Sequence, residues 1–382
     1  MHPEIAIVGV GETAYTRRSE RSAYSLAMEA ILAALADAGV DRTSVDGMVA
    51  FPGEVFPQQV ATALGATEVR FTAQITTGGA ASVSSLGAAA MALQTGNATH
   101  VIVYGARNGS SGQRVRDRIS RLPAEDLRRQ LEYPYGWMTP AHWYAMICRR
   151  HMHQYGTTKD HLAAVALTMR ANAQRNPRAM MRGRALSRDD YFAGKMIADP
   201  YQKFDCSLET DGAAAVVLTT ADRAADLRRS SVVVAGHASA LPESADDLSN
   251  RKDWLRVGLS DAAPRAFAMA DTTPAEIDAA MIYDCFTFEL LHQLEEVGLC
   301  PRGQAGDFVL DGHIGLGGDL PVNPHGGLLS EAHLLGVNHV IEAVRQLRGE
   351  ADERQVHDVE QVVVTGWGDL GDGSVAVLRK GR

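Results

Sequence analysis

The sequence PVNPHGGLLSEAHLLGVNHV, residues 321–340, places a turn, a glycine pair and a histidine within a helical pattern. Asn323-Pro324 predicts a turn, because the residue before a proline is pushed out of the helical region. Gly326-Gly327 has no Cβ and lets backbone or ligand approach closely. Apolar residues at helical spacing then predict a helix from Leu328 to about Leu347, with His333 about one turn into it. Free N–H groups at the start of such a helix favour an anion or a developing oxyanion.

Composition and charge exclude several classes of function. The chain has 382 residues, 46% hydrophobic and 22% charged, which is enough for one large core or two related ones. A net charge of −9 argues against a nucleic-acid surface. No apolar run reaches the length of a membrane span. The N-terminus has no basic leader and predicts a first strand rather than a signal peptide.

The cysteines and histidines lack the spacing of metal ligands, so we predict no metal site. The four cysteines lie far apart and are typical of reduced thiols in a cytoplasmic protein; they are Cys148, Cys206, Cys285 and Cys300. Basic clusters near residues 114–121 and 170–184 have two interpretations. One is a solvated face, and the other is a site for a phosphorylated ligand.

The first hundred residues alternate between strand and helix patterns. Residues 5–10 predict a strand, but no third glycine follows Gly9 and Gly11, so we exclude a dinucleotide-binding fingerprint. A helix is predicted from Ser22 to Gly39, with Gly39 as its C-cap. A second predicted helix, residues 81–94, is rich in Ala and Ser, which indicates a buried helix closely approached by another element.

Residues 105 to about 200 interrupt this alternation. They are richer in Arg and aromatic residues and predict an insertion over the core, with helices at 140–155 and 159–174. A buried strand is predicted from Asp211 to Leu218, where the chain returns to the sheet.

The second half repeats the order of the first. Residues 276–284 resemble residues 44–51, and a glycine pair, a helix and a strand follow in both halves. Similar order at similar spacing predicts a duplicated α/β unit, divided into residues 1–225 and 226–382. The duplication predicts that Gly79 and His333 lie on two sides of one pocket, at the ends of strands.

Three segments carry a resemblance to a known family. They are Tyr283-Asp284-Cys285-Phe286, the run from Glu296 to Pro301, and Val322-Asn323-Pro324-His325-Gly326-Gly327, supported by residues 211–215. Together they resemble the thiolase superfamily over essentially the whole chain, close to the sterol-carrier-type thiolases and their lipid-transfer-protein relatives. The resemblance implies a five-layer αβαβα fold built from two related halves, with a loop-domain insertion.

The departures from that family determine the chemistry that the resemblance implies. Thiolases need a nucleophilic cysteine where this chain has Gly79, and a second cysteine near Trp367 is also missing. His333 matches the family's catalytic histidine, ten residues after Asn323, and Tyr283 replaces the histidine of an HDCF motif. A glycine in place of the nucleophile and a tyrosine in that motif resemble the steroid side-chain aldolases of the superfamily. Those aldolases have a second tyrosine where this chain has His333.

The resemblance therefore implies retro-aldol cleavage of a β-hydroxyacyl-CoA without a cysteine nucleophile. Tyr283 is the expected partner of the β-hydroxyl, although an ordinary tyrosine has a pKa of about 10 and needs tuning to act as a base. His333 is expected to act on the enolate oxygen or to return a proton. Backbone N–H groups near Gly79 and Gly368 are the expected oxyanion donors. The remaining expected pocket residues are Asp284, His325, Gly326 and Gly327.

Two other functions remain open from the sequence. One is a thiolase-type acyltransferase that uses Cys285, and the other is a non-catalytic acyl-CoA-binding subunit. The resemblance further implies a homodimer and a partner subunit with an OB-fold and a zinc ribbon. It implies no cofactor beyond the CoA of the substrate. The acyl group is either a steroid side chain or an aromatic β-hydroxyacyl group.

Overall fold

A computed structural model describes residues 3–51, 55–112, 129–227, 229–245, 248–368 and 371–381. The basic cluster predicted near residues 114–121 lies outside these ranges. Among the described residues, no helix is long and apolar enough to cross a membrane.

The secondary structure follows the predicted alternation. The strands are β1 (Ile5–Glu12), β2 (Gly47–Ala50), β3 (Phe71–Gln74), β4 (Val101–Asn108), β5 (Met196–Ala198), β6 (Tyr201–Gln202), β7 (Asp211–Thr220), β8 (Val232–Ala240), β9 (Ala279–Met281), β10 (Gln361–Trp367) and β11 (Gly373–Lys380). The helices are α1 (Ala23–Ala38), α2 (Pro57–Leu64), α3 (Ala81–Gln94), α4 (Pro140–Tyr155), α5 (Lys159–Gln174), α6 (Arg188–Phe192), α7 (Ala221–Ala224), α8 (Gly258–Met269), α9 (Thr287–Glu296), α10 (Ala305–Leu310), α11 (Gly327–Ser330) and α12 (Val337–Arg348).

Within the described residues, nine strands join in the order β3-β2-β4-β7-β1-β8-β11-β10-β9. The order β2-β4-β7-β1 in the first half corresponds to β9-β10-β11-β8 in the second. Both sets contain one parallel pair followed by two antiparallel pairs. The halves meet where β1 pairs with β8, with Ala6 opposite Val233 and Ile7 opposite Val232.

Helices and strands form five layers. The buried apolar faces of α3 and α12 share one core with strands from both halves and so form the central layer. Helix α1 covers the outer face of the first-half strands. Helices α8 and α9 cover the outer face of the second-half strands, together with α4 and α5 of the insertion. This arrangement confirms the predicted αβαβα fold.

Several predicted elements match the structure closely. Helix α1 has Ser22 as N-cap and Gly39 as a left-handed C-cap, and α3, α4 and α5 span the predicted residues. Gly9 and Gly11 allow β1 to approach α1, because a Cβ on either would lie 2.2 Å from a backbone oxygen of that helix. Their role is therefore packing.

The prediction of a single helix from Leu328 to Leu347 was wrong. The chain forms the short α11, leaves the helix at residues 331–336, and begins again as α12. Leu335 and Gly336 have φ values of 56° and 87°, and left-handed backbone cannot continue a right-handed helix. As a result His333 lies in the connection between the two helices.

Strand β9 ends at Met281, two residues before Tyr283. The Asn323 side chain accepts from the Ile282 N–H and donates to the Ile282 carbonyl, both at 2.8 Å. Tyr283 donates its N–H to the Thr365 side chain at 3.1 Å. Side chains thus replace the sheet ladder here and direct the residues after β9 toward the centre of the molecule.

Candidate active site

Tyr283 is held by a closed set of hydrogen bonds to its backbone. Its N–H donates to Thr365 Oγ1, Thr365 Oγ1 donates to Gln293 Oε1 at 2.7 Å, and Gln293 Nε2 donates to the Tyr283 carbonyl at 2.6 Å. All three residues are buried, and they come from β10, α9 and the end of β9. The backbone of Tyr283 is therefore fixed, which sets the point from which its ring projects into the site.

His333 lies within hydrogen-bond distance of both Tyr283 and Ser207. Its Nε2 lies 3.1 Å from the Tyr283 hydroxyl, and its Nδ1 lies 3.0 Å from Ser207 Oγ. The His333 N–H donates to Thr210 Oγ1 at 3.0 Å, which anchors the connection between α11 and α12. Because an imidazole can accept at one nitrogen while it donates at the other, this chain of three side chains can move a proton.

The Tyr283 ring lies between glycines at the starts of both central helices. A Cβ on Gly79 would lie 2.2 Å from Tyr283 Cζ, 2.3 Å from its hydroxyl oxygen and 2.3 Å from the Trp367 carbonyl oxygen. A Cβ on Gly336 would lie 3.0 Å from Tyr283 Cδ2. Tyr283 thus occupies the space that a nucleophilic side chain at position 79 would need.

Trp367 and Gly368 form the wall of the site next to Gly79 and Tyr283. Trp367 is fully buried and packs edge-on against Tyr144 of α4, with ring centroids 6.0 Å apart. The Gly368 N–H donates to the Asp372 carbonyl at 2.8 Å, and the Gly368 carbonyl accepts from the Tyr144 hydroxyl at 3.1 Å. The role of Gly368 as an oxyanion donor stays a prediction, and it requires this N–H to exchange its partner for substrate.

Asp284 fixes the glycine turn. Its carboxylate accepts from the N–H groups of Leu328 and Leu329, at 2.7 and 3.3 Å. A Cβ on Gly327 would lie 2.1 Å from Asp284 Oδ2, and Gly326 has a φ of 104°, so both glycines are required by the turn. Burial raises the pKa of Asp284 even though these donors and His339 oppose the shift.

A chain of buried polar groups continues behind the turn. His339 Nε2 lies 3.4 Å from Asp284 Oδ1, and His339 Nδ1 lies 2.9 Å from His325 Nε2. Burial, followed by the nearby His339, lowers the pKa of His325 well below its usual value. Burial, and then the charge of Glu12, raises the pKa of Glu331 to about 8. His325, predicted as a pocket residue, is fully buried and supports the turn from behind.

Three of the four cysteines are unfavourable nucleophiles. All four are free thiols, and burial raises the pKa of Cys206 and of Cys300 to about 12. Burial, followed by Glu289, raises the pKa of Cys148 well above its usual value. Cys285, adjacent to Asp284, is buried.

Sequence reasoning missed Ser207, Thr210, Thr365 and Gln293. Ser207 contacts His333, which lies 126 positions further along the sequence. The only signal for it is a polar run just before the buried strand that begins at Asp211. Ser207 also lines a cavity of about 920 Å³, together with Cys206 and Leu208.

We expect Ser207→Ala to lower kcat about 3- to 10-fold, because loss of one hydrogen bond releases His333 from a single ring orientation. The midpoint of the kcat–pH profile should shift as well, since the partner of Nδ1 influences proton transfer at Nε2. Ser44→Ala, which removes an exposed hydrogen bond to Asp41 on the surface, is the matched control. An unchanged pH profile would mean that Ser207 is only a packing residue.

Glu289 lies near the site in α9 and is fully buried. Its carboxyl oxygens lie 3.2 and 3.1 Å from the Tyr201 hydroxyl, and Tyr201 stacks on Phe286. Burial raises the pKa of Glu289 to about 8. Between the ordinary carboxyl pKa and about 8, the folded state therefore holds a proton that the unfolded state has lost.

The free energy of unfolding should consequently fall as pH rises through this range, by up to about 1.4 kcal/mol per pH unit for this one proton. Glu289→Gln keeps the shape and should remove that part of the slope. Urea unfolding between pH 5.5 and 8.5 measures it, with the exposed Glu353→Gln as control. Parallel curves for Glu289→Gln and wild type would contradict the prediction.

Comparison with known proteins identifies similar chains. A family model described as thiolase C-terminal domain-like matches residues 242–380. The 17-hydroxy-3-oxo-4-pregnene-20-carboxyl-CoA lyase of Mycobacterium tuberculosis is 40% identical over 95% of this chain and 96% of its own length. A steroid side-chain-cleaving aldolase of Thermomonospora curvata is 38% identical over 94% of each chain.

A solved structure supports the same relationship. The structure titled Ltp2-ChsH2(DUF35) aldolase has a TM-score of 0.94 and 36% identity, and the alignment covers 100% of this chain and 99% of that one. The name of that structure joins an aldolase to a DUF35 protein.

Proposed function

Because this chain belongs to the thiolase-like family that includes the steroid side-chain-cleaving aldolases, we propose that it is a carbon–carbon lyase acting by retro-aldol cleavage of a β-hydroxyacyl-CoA thioester. One observation carries the chemistry: Tyr283 occupies the space beside Gly79 that a nucleophile would need, and its hydroxyl lies against His333. The site therefore offers proton transfer in place of acyl transfer.

In the proposed reaction, Tyr283 accepts the proton of the β-hydroxyl as its own phenolic proton passes to His333 Nε2. The β-carbon then forms a carbonyl group, and the bond between the α- and β-carbons breaks. Its electron pair forms the thioester enolate, which takes a proton at the α-carbon from the same pair of residues. Atoms and charge balance with a ketone or aldehyde and a shortened acyl-CoA as products, so the reaction needs no cofactor.

The enolate oxygen requires donors that are already oriented. Gly79 lies at the N-terminal end of α3, where peptide N–H groups and the helix dipole favour negative charge. A thioester whose oxygen points toward Gly79 would have its β-hydroxyl near Tyr283. This placement assigns the enolate to one side of the tyrosine ring and the leaving carbonyl to the other.

The relatives' names guide the substrate and partner that we propose. One relative is named as a lyase of a steroid carboxyl-CoA, so the proposed acyl group is a steroid side chain. The assembly with a DUF35 protein supports a heterocomplex, and the proposed partner carries an OB-fold and a zinc ribbon. We further propose a homodimer in the cytoplasm. Light scattering at micromolar concentration tests the dimer, and a monodisperse monomer would exclude it.

The function is tested by incubating the purified chain and its partner with a β-hydroxyacyl-CoA and measuring both products. Ketone or aldehyde and shortened acyl-CoA should appear in equal amounts. Transfer of the acyl group to free CoA, or formation of a covalent acyl-protein, would instead support the acyltransferase alternative. Binding without turnover would support the non-catalytic subunit.

We also expect iodoacetamide to leave turnover within about two-fold, because a retro-aldol cut needs no thiol. Mass spectrometry should be used to record which cysteines are labelled. Complete inactivation that tracks labelling of Cys285, with protection by substrate, would contradict this expectation and favour acyl transfer through that residue.

A further inference from the structure

His339 is a fully buried histidine to which the proposed reaction gives no role. It lies in the first turn of α12, and 0% of its surface is exposed. Its Nε2 lies 3.4 Å from Asp284 Oδ1, and its Nδ1 lies 2.9 Å from His325 Nε2. Burying an imidazole costs free energy unless its nitrogens find partners, so these two contacts are what allow a histidine at this position.

The donors and acceptors of this buried chain run in one direction. Both oxygens of Asp284 already accept, Oδ1 from the Leu328 N–H at 2.7 Å and Oδ2 from the Leu329 N–H at 3.3 Å. The proton between Asp284 and His339 therefore belongs to Nε2 of the histidine. Burial, followed by His339, lowers the pKa of His325 well below its usual value, so His325 is neutral. With a proton on its Nε2, His325 donates to His339 Nδ1, and His339 donates to Asp284.

One end of this chain holds the segment that carries Tyr283. Asp284 directly follows Tyr283, and its carboxylate also anchors the N–H groups of α11. The His339 ring packs edge-on against the Tyr283 ring, with ring centroids 6.3 Å apart and an interplanar angle of 78°. His339 therefore acts on Tyr283 in two ways, directly through the ring and through the next residue of the chain.

The other end of the chain reaches the segment that carries His333. His325 Nε2 lies 3.7 Å from Glu331 Oε2, and Glu331 Oε2 accepts from Asn338 Nδ2 at 2.8 Å. The same Nδ2 donates to the carbonyl of Ala332 at 3.1 Å, immediately before His333. The buried chain thus connects the segments of both reacting residues.

We infer that His339 is a positioning residue, which acts through Asp284 on the separation of the two reacting side chains. The inference rests on the proposed function, because the separation of Tyr283 and His333 matters for rate only if a proton passes between them. The contact with Asp284 is longer than an ideal hydrogen bond, so its attraction is mainly electrostatic, and burial of both groups strengthens it. Since a misplacement of about 1 Å can cost 100-fold in rate, loss of this contact should appear in kcat.

Two substitutions separate the two contacts of the ring. In His339→Gln the side-chain amide can reach the place of Nε2 and still donate to Asp284, whereas in His339→Asn the shorter amide reaches only the place of Nδ1. We expect His339→Asn to lower kcat about 10- to 100-fold, the range for a lost bond to a charged group, with KM within about two-fold of wild type. In His339→Gln, kcat should stay within about three-fold of wild type.

His151 in α4 provides the matched control. It is also buried, with Nδ1 2.7 Å from Thr157 Oγ1 and Nε2 2.9 Å from Glu295 Oε2. His151→Asn should therefore lower the unfolding midpoint, as His339→Asn does, and leave kcat within about two-fold.

Asp284→Asn is a second variant that keeps the shape of the side chain. It should lose at least as much kcat as His339→Asn, because it removes the other partner of the same contact. The double variant should lose little more than Asp284→Asn alone. Losses that multiply in the double variant would overturn the inference.

Hydrogen exchange followed by mass spectrometry gives a readout that needs no turnover. Exchange at the Leu328 and Leu329 amides, which donate to Asp284, should be about ten-fold faster in His339→Asn and unchanged in His339→Gln. That pattern in a wild type that cleaves no thioester would support the positioning contact and count against the proposed reaction. Equal kcat losses in the two His339 variants, or the same loss in His151→Asn, would overturn the inference while leaving the proposed reaction intact.

Discussion

Tyr283→Phe should lower kcat by about 10²–10⁴-fold while the protein remains folded. The substitution keeps the ring between Gly79 and Gly336 and removes only the hydroxyl that contacts His333. Loss of a positioned acid or base typically costs this much in rate. The stability change should stay within about 0.5–1.5 kcal/mol, the contribution of one hydrogen bond. The measurement is kcat for ketone or aldehyde release with the proposed partner present, together with the midpoint of thermal unfolding.

Tyr104→Phe is the matched control for this substitution. Tyr104 is also a buried tyrosine with one hydroxyl hydrogen bond, to the Val55 carbonyl at 3.1 Å, but it lies in β4 away from His333. Loss of the Tyr104 hydroxyl should lower the stability of the protein and leave kcat unchanged. If Tyr283→Phe were folded and within a few-fold of wild type, Tyr283 would be a packing residue. The base would then be His333 or a residue of the proposed partner.

The duplicated α/β unit could be predicted from the order and spacing of its elements, which also placed Gly79 and His333 at one pocket. The five-layer fold and the roles of Tyr283 and His333 were implied by the resemblance of short motifs to a known family. The small side chains of α3 indicated correctly that this helix is buried and closely approached. These predictions were possible because the motifs and the small residues of α3 are each contained in one short stretch of sequence.

The break before α12 could not be predicted in the same way. Apolar residues continue at helical spacing through Leu334 and Val337, so periodicity alone indicates one helix. The left-handed backbone at Leu335 and Gly336 depends on tertiary contacts, including the bond from the His333 N–H to Thr210. Ser207 was missed for the same reason, since its function comes from a side-chain contact made only in the folded chain.

The absence of a cysteine at position 79 and the presence of a tyrosine at position 283 are physically linked. The gap beside Gly79 is filled by the Tyr283 ring and the Trp367 carbonyl. A side chain at position 79 and the observed tyrosine position therefore exclude each other. In this chain, a cysteine at position 79 would therefore require the Tyr283 ring to leave its present place.

Gly79→Ala should therefore abolish turnover, with a loss of about 10³-fold or more. The added Cβ would lie 2.2 Å from Tyr283 Cζ and 2.3 Å from the Trp367 carbonyl oxygen, so one of them must move. The carbonyl belongs to the β10 ladder, where Trp367 pairs with Gly373, so the tyrosine ring is the part that moves. A displacement of about 1 Å can cost 100-fold in rate, and loss of the His333 contact adds to it. Overpacking should also cost about 1–3 kcal/mol of stability.

Gly317→Ala is the control for this prediction, because a Cβ at Gly317 would meet no atom within 4 Å. It should leave kcat and the unfolding midpoint nearly unchanged. Combining Gly79→Ala with Tyr283→Phe should lose much less than the product of the two single losses, since both substitutions remove the same hydroxyl from the same place. A folded Gly79→Ala protein with near-normal turnover, or a double variant whose losses multiply, would show that Tyr283 and Gly79 act independently. The proposed origin of the proton-transfer site would then be wrong.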